Sequence, residues 1–521
     1  MSDGARVGRV FTGDELTRDS EVQAEVCIVG SGSGGGVLAH ELAARGLDVV
    51  LLEEGGYHTR REFKMDEAWS YPNLYQEMAN RGTDDLAIKI FQGRSVGGGT
   101  TINWTTCFRT PPRITQVWRE KHGLQALTDE ALRPHFEAVE HRLHIHQWPL
   151  EQINANNKVL WDGCEKLGLH HKLIRRNVHK CANLGYCGVG CPVDAKQSML
   201  VTYIPDAVEK GLRVYANASA RRLELSGSRV SAVHAEIRDP ATDKPRGVRL
   251  VVRAKVVAVC GGAINSPALL LRSGLDQGGR VGRRTFLHPT VVSVAMFDEE
   301  IAAYSGAPQS VYSHQWIQRG PGKIGWFTET APIHPVLATV SFAGFGADHR
   351  DLVQKLPHLN ALVSSQNDGM LPDETGATVK LRGGADDRLS ISYDLRPEHF
   401  EAARASQEAM ARIQLAAGAR KVITLHESPV VIESEKDLAK LDSARWERLR
   451  IRFFSAHQMG GCPMGADPER SVVTPELRFR GVDNLFVVDG SIFPTSLGVN
   501  PQQTIFGLAH WGAQFVAAAV A

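Results

Sequence analysis

Residues 25–53 run through a short apolar stretch, a glycine-rich turn, a helical stretch and a second apolar stretch, and few folds accommodate that order. Residues 25–29 read as a mostly apolar strand, as a parallel strand buried on both faces should. Gly30, Gly32 and Gly35 follow at G-x-G-x-x-G spacing, with Ser33 inside the turn. Glycine there permits the tight turn, lets backbone approach a pyrophosphate, and lets the helix pack on the strand. A helix over about 34–45 would aim its amide-rich N-terminus at those phosphates. Residues 47–52 form the second strand, which ends at Glu53, 23 residues after Gly30. A carboxylate at that point accepts hydrogen bonds from both ribose hydroxyls and repels a 2′-phosphate. The unit is a Rossmann-like dinucleotide site, and it does not distinguish NAD from FAD.

The rest of the composition bounds the answer. A chain of 521 residues exceeds the roughly 250–300 at which a single core stops growing, so two domains are expected. Lys and Arg total 59 against 58 Asp and Glu, so no overall field favours nucleic acid or an anionic membrane. The first six residues carry no apolar leader, and no run approaches about 18 apolar residues, so no membrane span is expected. Eight cysteines in this length do not suggest a secreted disulfide framework. The reading is of a cytoplasmic protein.

Two further glycine-rich segments follow: Gly93-Arg94-Ser95-Val96-Gly97-Gly98-Gly99-Thr100-Thr101-Ile102-Asn103, and Gly261-Gly262-Ala263-Ile264-Asn265-Ser266-Pro267. Near the C-terminus come Ser455-Ala456-His457-Gln458-Met459-Gly460-Gly461, then Val488-Asp489-Gly490-Ser491, then Gly498-Val499-Asn500-Pro501. With these blocks the chain resembles the glucose–methanol–choline (GMC) oxidoreductase family over essentially its whole length. The resemblance implies FAD rather than NAD, and oxidation of an alcohol to an aldehyde or ketone by hydride transfer to flavin N5. It implies that Arg94, Gly97, Gly98 and Asn103 lie along the pyrophosphate and isoalloxazine. By the same likeness Asp489 and Gly490 sit near the ribityl chain, and the backbone around Ala220 reaches the adenine.

The expected fold is α/β, a Rossmann-like FAD-binding domain with a substrate domain built on an antiparallel sheet. The FAD domain would be discontinuous over 1–110, 195–290 and 455–521, with 111–194 as a connecting segment and 291–454 as the substrate domain. Short strands are expected over 291–297, 310–317, 323–329, 339–344, 361–364 and 388–395. Amphipathic helices are expected over about 398–417 and 435–450.

An alcohol gives up a hydride only as its O–H proton leaves, so a base must lie within hydrogen-bond reach of the hydroxyl. Histidine suits the task because its ordinary pKa of ~6.5 lies near operating pH. His457 matches the family's catalytic position, and Gly460-Gly461 after it would let backbone crowd the flavin. Asn500 has two readings. Asn500-Pro501-Gln502-Gln503 looks like a helix start, with Asn500 as N-cap and Pro501 at N1. The resemblance instead places Asn500 beside the substrate oxygen, in the Asn-Pro form found in cholesterol oxidase and the long-chain fatty alcohol oxidases.

Cys181, Cys187 and Cys191 fall within eleven residues, at x5 and x3 spacing. Three thiolates so spaced could hold an iron–sulfur cluster, and the spacing resembles that of the three-iron segment in bacterial FAD-dependent glucose dehydrogenase complexes. Structural cysteines weigh slightly above the cluster. Cys27, Cys107, Cys164, Cys260 and Cys462 read as small buried residues. The leading expectation is an FAD-dependent oxidoreductase for a fairly apolar primary or secondary alcohol, a small-molecule substrate, with O2 or an external carrier as electron acceptor. A lyase or photodecarboxylase on the same scaffold is the alternative.

Overall fold

The computed structural model describes residues 7–383 and 388–521; residues 1–6, read above for an apolar leader, lie outside it. Its first sheet has eight strands, in the order Arg9–Phe11, Arg213–Tyr215, Val49–Leu52, Ser20–Val29, Pro245–Val259, Arg229–Arg238 and Ala218–Ser226, with Leu485–Val487 also on Pro245–Val259. Val26, Cys27, Ile28 and Val49 to Leu52 are buried, as β-branched and apolar strands covered on both faces must be. The strand Pro245–Val259 is parallel to Ser20–Val29 along most of its length, while its first half also pairs antiparallel with Arg229–Arg238. Its last three residues pair in parallel with Leu485–Val487. That single long strand brings the C-terminal segment against the first glycine turn.

A second sheet of nine strands is built on the antiparallel order Val431–Ile432, Lys421–Thr424, Thr290–Met296, Leu359–Gln366, Trp326–Thr330, Val311–Ser313 and Lys172–Leu173. Leu359–Gln366 is buried along its whole length, with the helix Pro397–Ala416 packed against it and against Thr290–Met296. Phe453–Ser455 joins this sheet beside Thr290 and pairs in parallel with Ile88–Ile90. Buried apolar side chains form one large cluster around the first sheet and two around the second.

Two expected elements differ. Residues 339–344 are not a strand: the helix Pro335–Ser341 occupies this region, with Pro335 at its first turn, and Phe342 ends it. Proline at N1 is pre-set for a helix and outweighs the β-branched Thr339 and Val340 that suggested a strand. The expected helix over 435–450 shrinks to 3-10 turns over Glu435–Ser443, started by a capping box between Ser434 and Asp437.

Candidate functional site

Between the two sheets lies a cavity of about 1230 Å3. At one end it is lined by Gly30, Gly32, Ser33, Glu53, Arg94, Gly98 and Ala220, at the other by His457 and Asn500, with Asn103, Asp489 and Gly490 also in its wall. Gly35 and Gly97 do not line it. A Cβ on Gly35 would stand 1.8 Å from the Gly30 carbonyl oxygen, so this glycine serves helix–turn packing. Gly97, at φ +93°, donates its amide to the Ser31 hydroxyl and lies against Leu200.

The turn is shaped to admit a ligand along its backbone. Gly30 adopts φ +103°, which glycine reaches without cost. A Cβ on Gly98 would meet the Gly32 Cα at 2.7 Å, so the two glycine segments face each other with no room for a side chain at Gly98. The helix Ser33–Ala43 begins at this turn with no acidic residue in its first turn and no side-chain cap, leaving its amides for another acceptor. Glu53 accepts from the Ser31 amide and hydroxyl and from the Gly55 amide. Burial raises its pKa despite these bonds. Arg94 is engaged in ion pairs with Glu54 and Asp243 at the cavity wall. Asp489 accepts from the Gly262 amide and the Ser266 hydroxyl, which ties the third glycine block to the C-terminal one. Asn103 donates to Gln502 Oε1 at 2.6 Å, which braces it from the first turn of the C-terminal helix.

His457 lies in the short link between Phe453–Ser455 of the nine-stranded sheet and Met459–Gly460 of a separate four-stranded sheet. Two different sheets therefore anchor the segment on either side of it. Its Nδ1 faces His288 Nδ1 at 3.2 Å, and its Nε2 faces Asn500 Nδ2 at 3.2 Å. The ring packs nearly parallel to Phe327, with centroids 6.1 Å apart. Burial lowers the His457 pKa to about 4, so the imidazole is neutral at physiological pH and able to accept a proton. His288 is buried, its Nε2 accepts from the Gly498 amide, and desolvation, the neighbouring His457 and Arg113 hold its pKa well below the usual value.

Asn500 does not cap a helix. The C-terminal helix Gln502–Ala518 takes Pro501 as its N-cap, with no side-chain cap bond. Asn500 turns instead toward the cavity and donates to Glu329 Oε2 at 3.3 Å. Glu329 also accepts from Gln309 at 3.1 Å. Burial pushes its pKa up to about 8, so it is a neutral acid at pH 7. Asn500 Oδ1 and Glu329 Oε1 are buried without partners, beside the His457 imidazole. The Asn500 carbonyl is an open acceptor for a donor that enters from the cavity, while Glu329 Oε1, which carries the proton of the neutral acid because Oε2 accepts twice, is an open donor. Gly460 and Gly461 do not crowd the cavity as expected: they pack against the Arg284 carbonyl and Pro267.

Sequence reasoning missed Glu329 and His288. Each belongs to a strand or strand entrance remote in sequence from every glycine block, and neither sits in a motif. The available signal was a lone carboxylate in the otherwise neutral strand Trp326–Thr330, which is buried throughout.

Nothing in the cysteine segment supports the cluster that the sequence left open below structural cysteines. Among the described residues no group of three or more His, Cys, Asp or Glu side chains is arranged to hold a metal ion. Cys181, Cys187 and Cys191 are free and half-buried. Burial raises the Cys187 pKa. The loop is instead held by polar bonds: Lys196 Nζ donates to the Cys187 carbonyl at 2.7 Å, and Tyr75 donates to the Gly188 carbonyl at 2.6 Å.

Residues 51–290 match the N-terminal family model of GMC oxidoreductase, and residues 372–509 match the C-terminal one. A long-chain-alcohol oxidase (FAO4A) from Arabidopsis thaliana is 31% identical over 94% of this chain and 68% of its own length. An uncharacterised GMC-type oxidoreductase (y4nJ) from Sinorhizobium fredii is 30% identical over 95% of both chains. Among solved structures, pyridoxine 4-oxidase from Mesorbium loti superposes with a TM-score of 0.71 at 22% identity, covering 94% of this chain and 99% of that one. Formate oxidase superposes with a TM-score of 0.70 at 15% identity, covering 96% and 99%. The chain has the GMC fold and belongs to the GMC oxidoreductase family, oxidoreductases that act on CH–OH donors.

Proposed function

We propose that this protein binds FAD and oxidises an apolar primary or secondary alcohol to the aldehyde or ketone, with His457 as the base. The observation that carries the reading is a neutral, buried imidazole at the end of a cavity whose other end is a glycine-lined nucleotide cradle. The residues fit the cofactor: only backbone faces the cavity where Gly32 and Gly98 meet, uncapped helix amides open beside them, and Glu53 stands where a ribose would be held. FAD, when bound, supplies the hydride acceptor.

The protein's own groups prepare the alcohol. His457 Nε2 is the ring nitrogen on the Asn500 side, and it takes the hydroxyl proton as the C–H bond breaks. Asn500 holds the oxygen in place but, as a neutral carboxamide, takes no proton. Glu329, neutral through burial, adds no negative charge next to the oxygen as that oxygen loses its proton. His288 orients the imidazole edge-on, with ring planes 84° apart. Val292, Val294, Ala361, Val363, Leu425 and Ile451 line the cavity and give it an apolar wall. In this reading the cofactor is held by segments within 1–110, 195–290 and 455–521, and the alcohol mostly by 291–454.

The test is an anaerobic panel of primary alcohols of increasing chain length, plus polar polyols, mixed with the FAD-loaded protein. The reading expects the flavin band to bleach fastest with the apolar members. Cyanide release or light-dependent CO2 without bleaching would favour a lyase or decarboxylase instead.

A further inference from the structure

Three side chains that line the cavity are also among the most exposed large apolar residues of the described chain: Leu86 at 76%, Val340 at 60% and Leu449 at 58%. A residue that both faces a cavity and stands in solvent lies at its mouth. Phe345, 91% exposed, follows the helix Pro335–Ser341 that carries Val340. Single exposed apolar side chains are ordinary on any protein, but here they gather at one opening and continue inward into an apolar wall.

Two of these residues, both leucines, also carry left-handed backbone. Leu86 adopts φ +59° and Leu449 φ +66°, in the left-handed region that leucine enters at a cost and asparagine or glycine enters readily. The chain holds strained leucines outward at the two places where a polar residue would fold more comfortably.

Charge at the mouth is positive. Lys89 and Arg452 line the same cavity. Lys89 Nζ lies 5.3 Å over the Phe91 ring, and Arg452 donates to the Val340 carbonyl at 2.9 Å, so each is held by a neutral group. Asp84 and Asp85, beside Leu86, are paired with Arg382 and Arg448. The balanced charge of the whole chain gives no long-range pull, so any attraction here is local.

We propose that this mouth is a lipid-docking surface. Leu86, Leu449 and Val340 enter the interfacial layer of a bilayer, while Lys89 and Arg452 meet anionic headgroups. An apolar alcohol dissolved in that bilayer then reaches the cavity without crossing water. Docking itself stands apart from the alcohol-oxidising reading; only the delivery of substrate rests on it.

The test is co-sedimentation of the FAD-loaded protein with vesicles of phosphatidylcholine alone and of equimolar phosphatidylcholine and phosphatidylglycerol. Binding is expected to both, tighter to the anionic vesicles and weakened there by salt. The double variant Leu86→Asn/Leu449→Asn should bind at least roughly tenfold more weakly, because two apolar anchors are lost. Asparagine tolerates the left-handed backbone, so this variant should melt no lower than wild type, which separates lost docking from misfolding. Arg452→Gln should weaken binding to the anionic vesicles only. The proposal is overturned if the wild-type protein sediments with neither vesicle, or if the double variant binds as tightly as wild type. It is equally overturned if the two leucines mediate concentration-dependent dimerisation without vesicle binding, since the face would then belong to a second copy. None of these readouts uses alcohol oxidation, so failure of docking and failure of the catalytic reading are seen separately.

Discussion

In the proposed mechanism His457 and Glu329 set opposite requirements on protonation, and their environments meet both. As the proposed base the imidazole must be neutral, and burial keeps it so down to about pH 4. Glu329 is harmless to the departing proton only while it is itself protonated, which holds up to about pH 8. The rate of flavin reduction should therefore fall as pH drops through the first value and fall again as pH rises through the second. Replacing Glu329 by Gln keeps the carbonyl acceptor and removes the titration. That variant should lose the alkaline limb and retain the acid one, as read in stopped-flow pH profiles; an unchanged alkaline limb would assign it to another group. Asn500→Ala should slow reduction while leaving thermal stability near wild type, because Asn500 caps no helix. A large drop in Tm would return it to a structural role.

At the scale of elements, the glycine turn separates positions that serve the fold from positions that serve a ligand. A Cβ on Gly34 would lie 1.9 Å from the Val488 carbonyl oxygen, where helix and C-terminal segment touch, so Gly34→Ala should yield little folded protein. A Cβ on Gly32 meets nothing nearer than the Gly98 Cα at 3.9 Å, and its φ of −69° suits alanine. Gly32→Ala should fold with normal circular dichroism yet retain less FAD, because the added methyl stands where backbone approaches the pyrophosphate. Full FAD content in this variant would move the cofactor away from the turn. The loop over 181–191 makes the converse point. Its polar bonds account for its shape without metal, so anaerobically purified protein should contain far less than one iron per chain. About three irons with acid-labile sulfide would restore the cluster.

The whole molecule shows what sequence patterns carry and what they leave out. The N-terminal strand–turn–helix–strand unit was legible because each of its residues is constrained locally, by burial on both faces or by a required glycine. His457 and Asn500 were legible through their motifs. Glu329 and His288 were not, because their significance arises only when Trp326–Thr330 and the entrance to Thr290–Met296 are brought beside the C-terminal segment by sheet pairing. For Asn500 the sequence left two readings open, because Pro501, Gln502 and Gln503 fit a local capping pattern, and the tertiary contact with Glu329 overrides that pattern. Because the cavity is walled by both large sheets, a ligand in it joins them. Removing FAD should lower Tm, and adding it back should raise Tm with concentration, as expected of a ligand that binds only the folded state.

The most direct measurement is single-turnover reduction of the bound flavin, under anaerobic conditions, by the fastest alcohol of the panel, in wild type and in His457→Ala. The account predicts a yellow wild-type protein that bleaches on mixing. It predicts a variant that keeps its FAD but bleaches roughly 10²–10⁴-fold more slowly, the range for losing a general base. A wild-type protein that takes up no FAD, or a variant that reduces its flavin at nearly the wild-type rate, would contradict it.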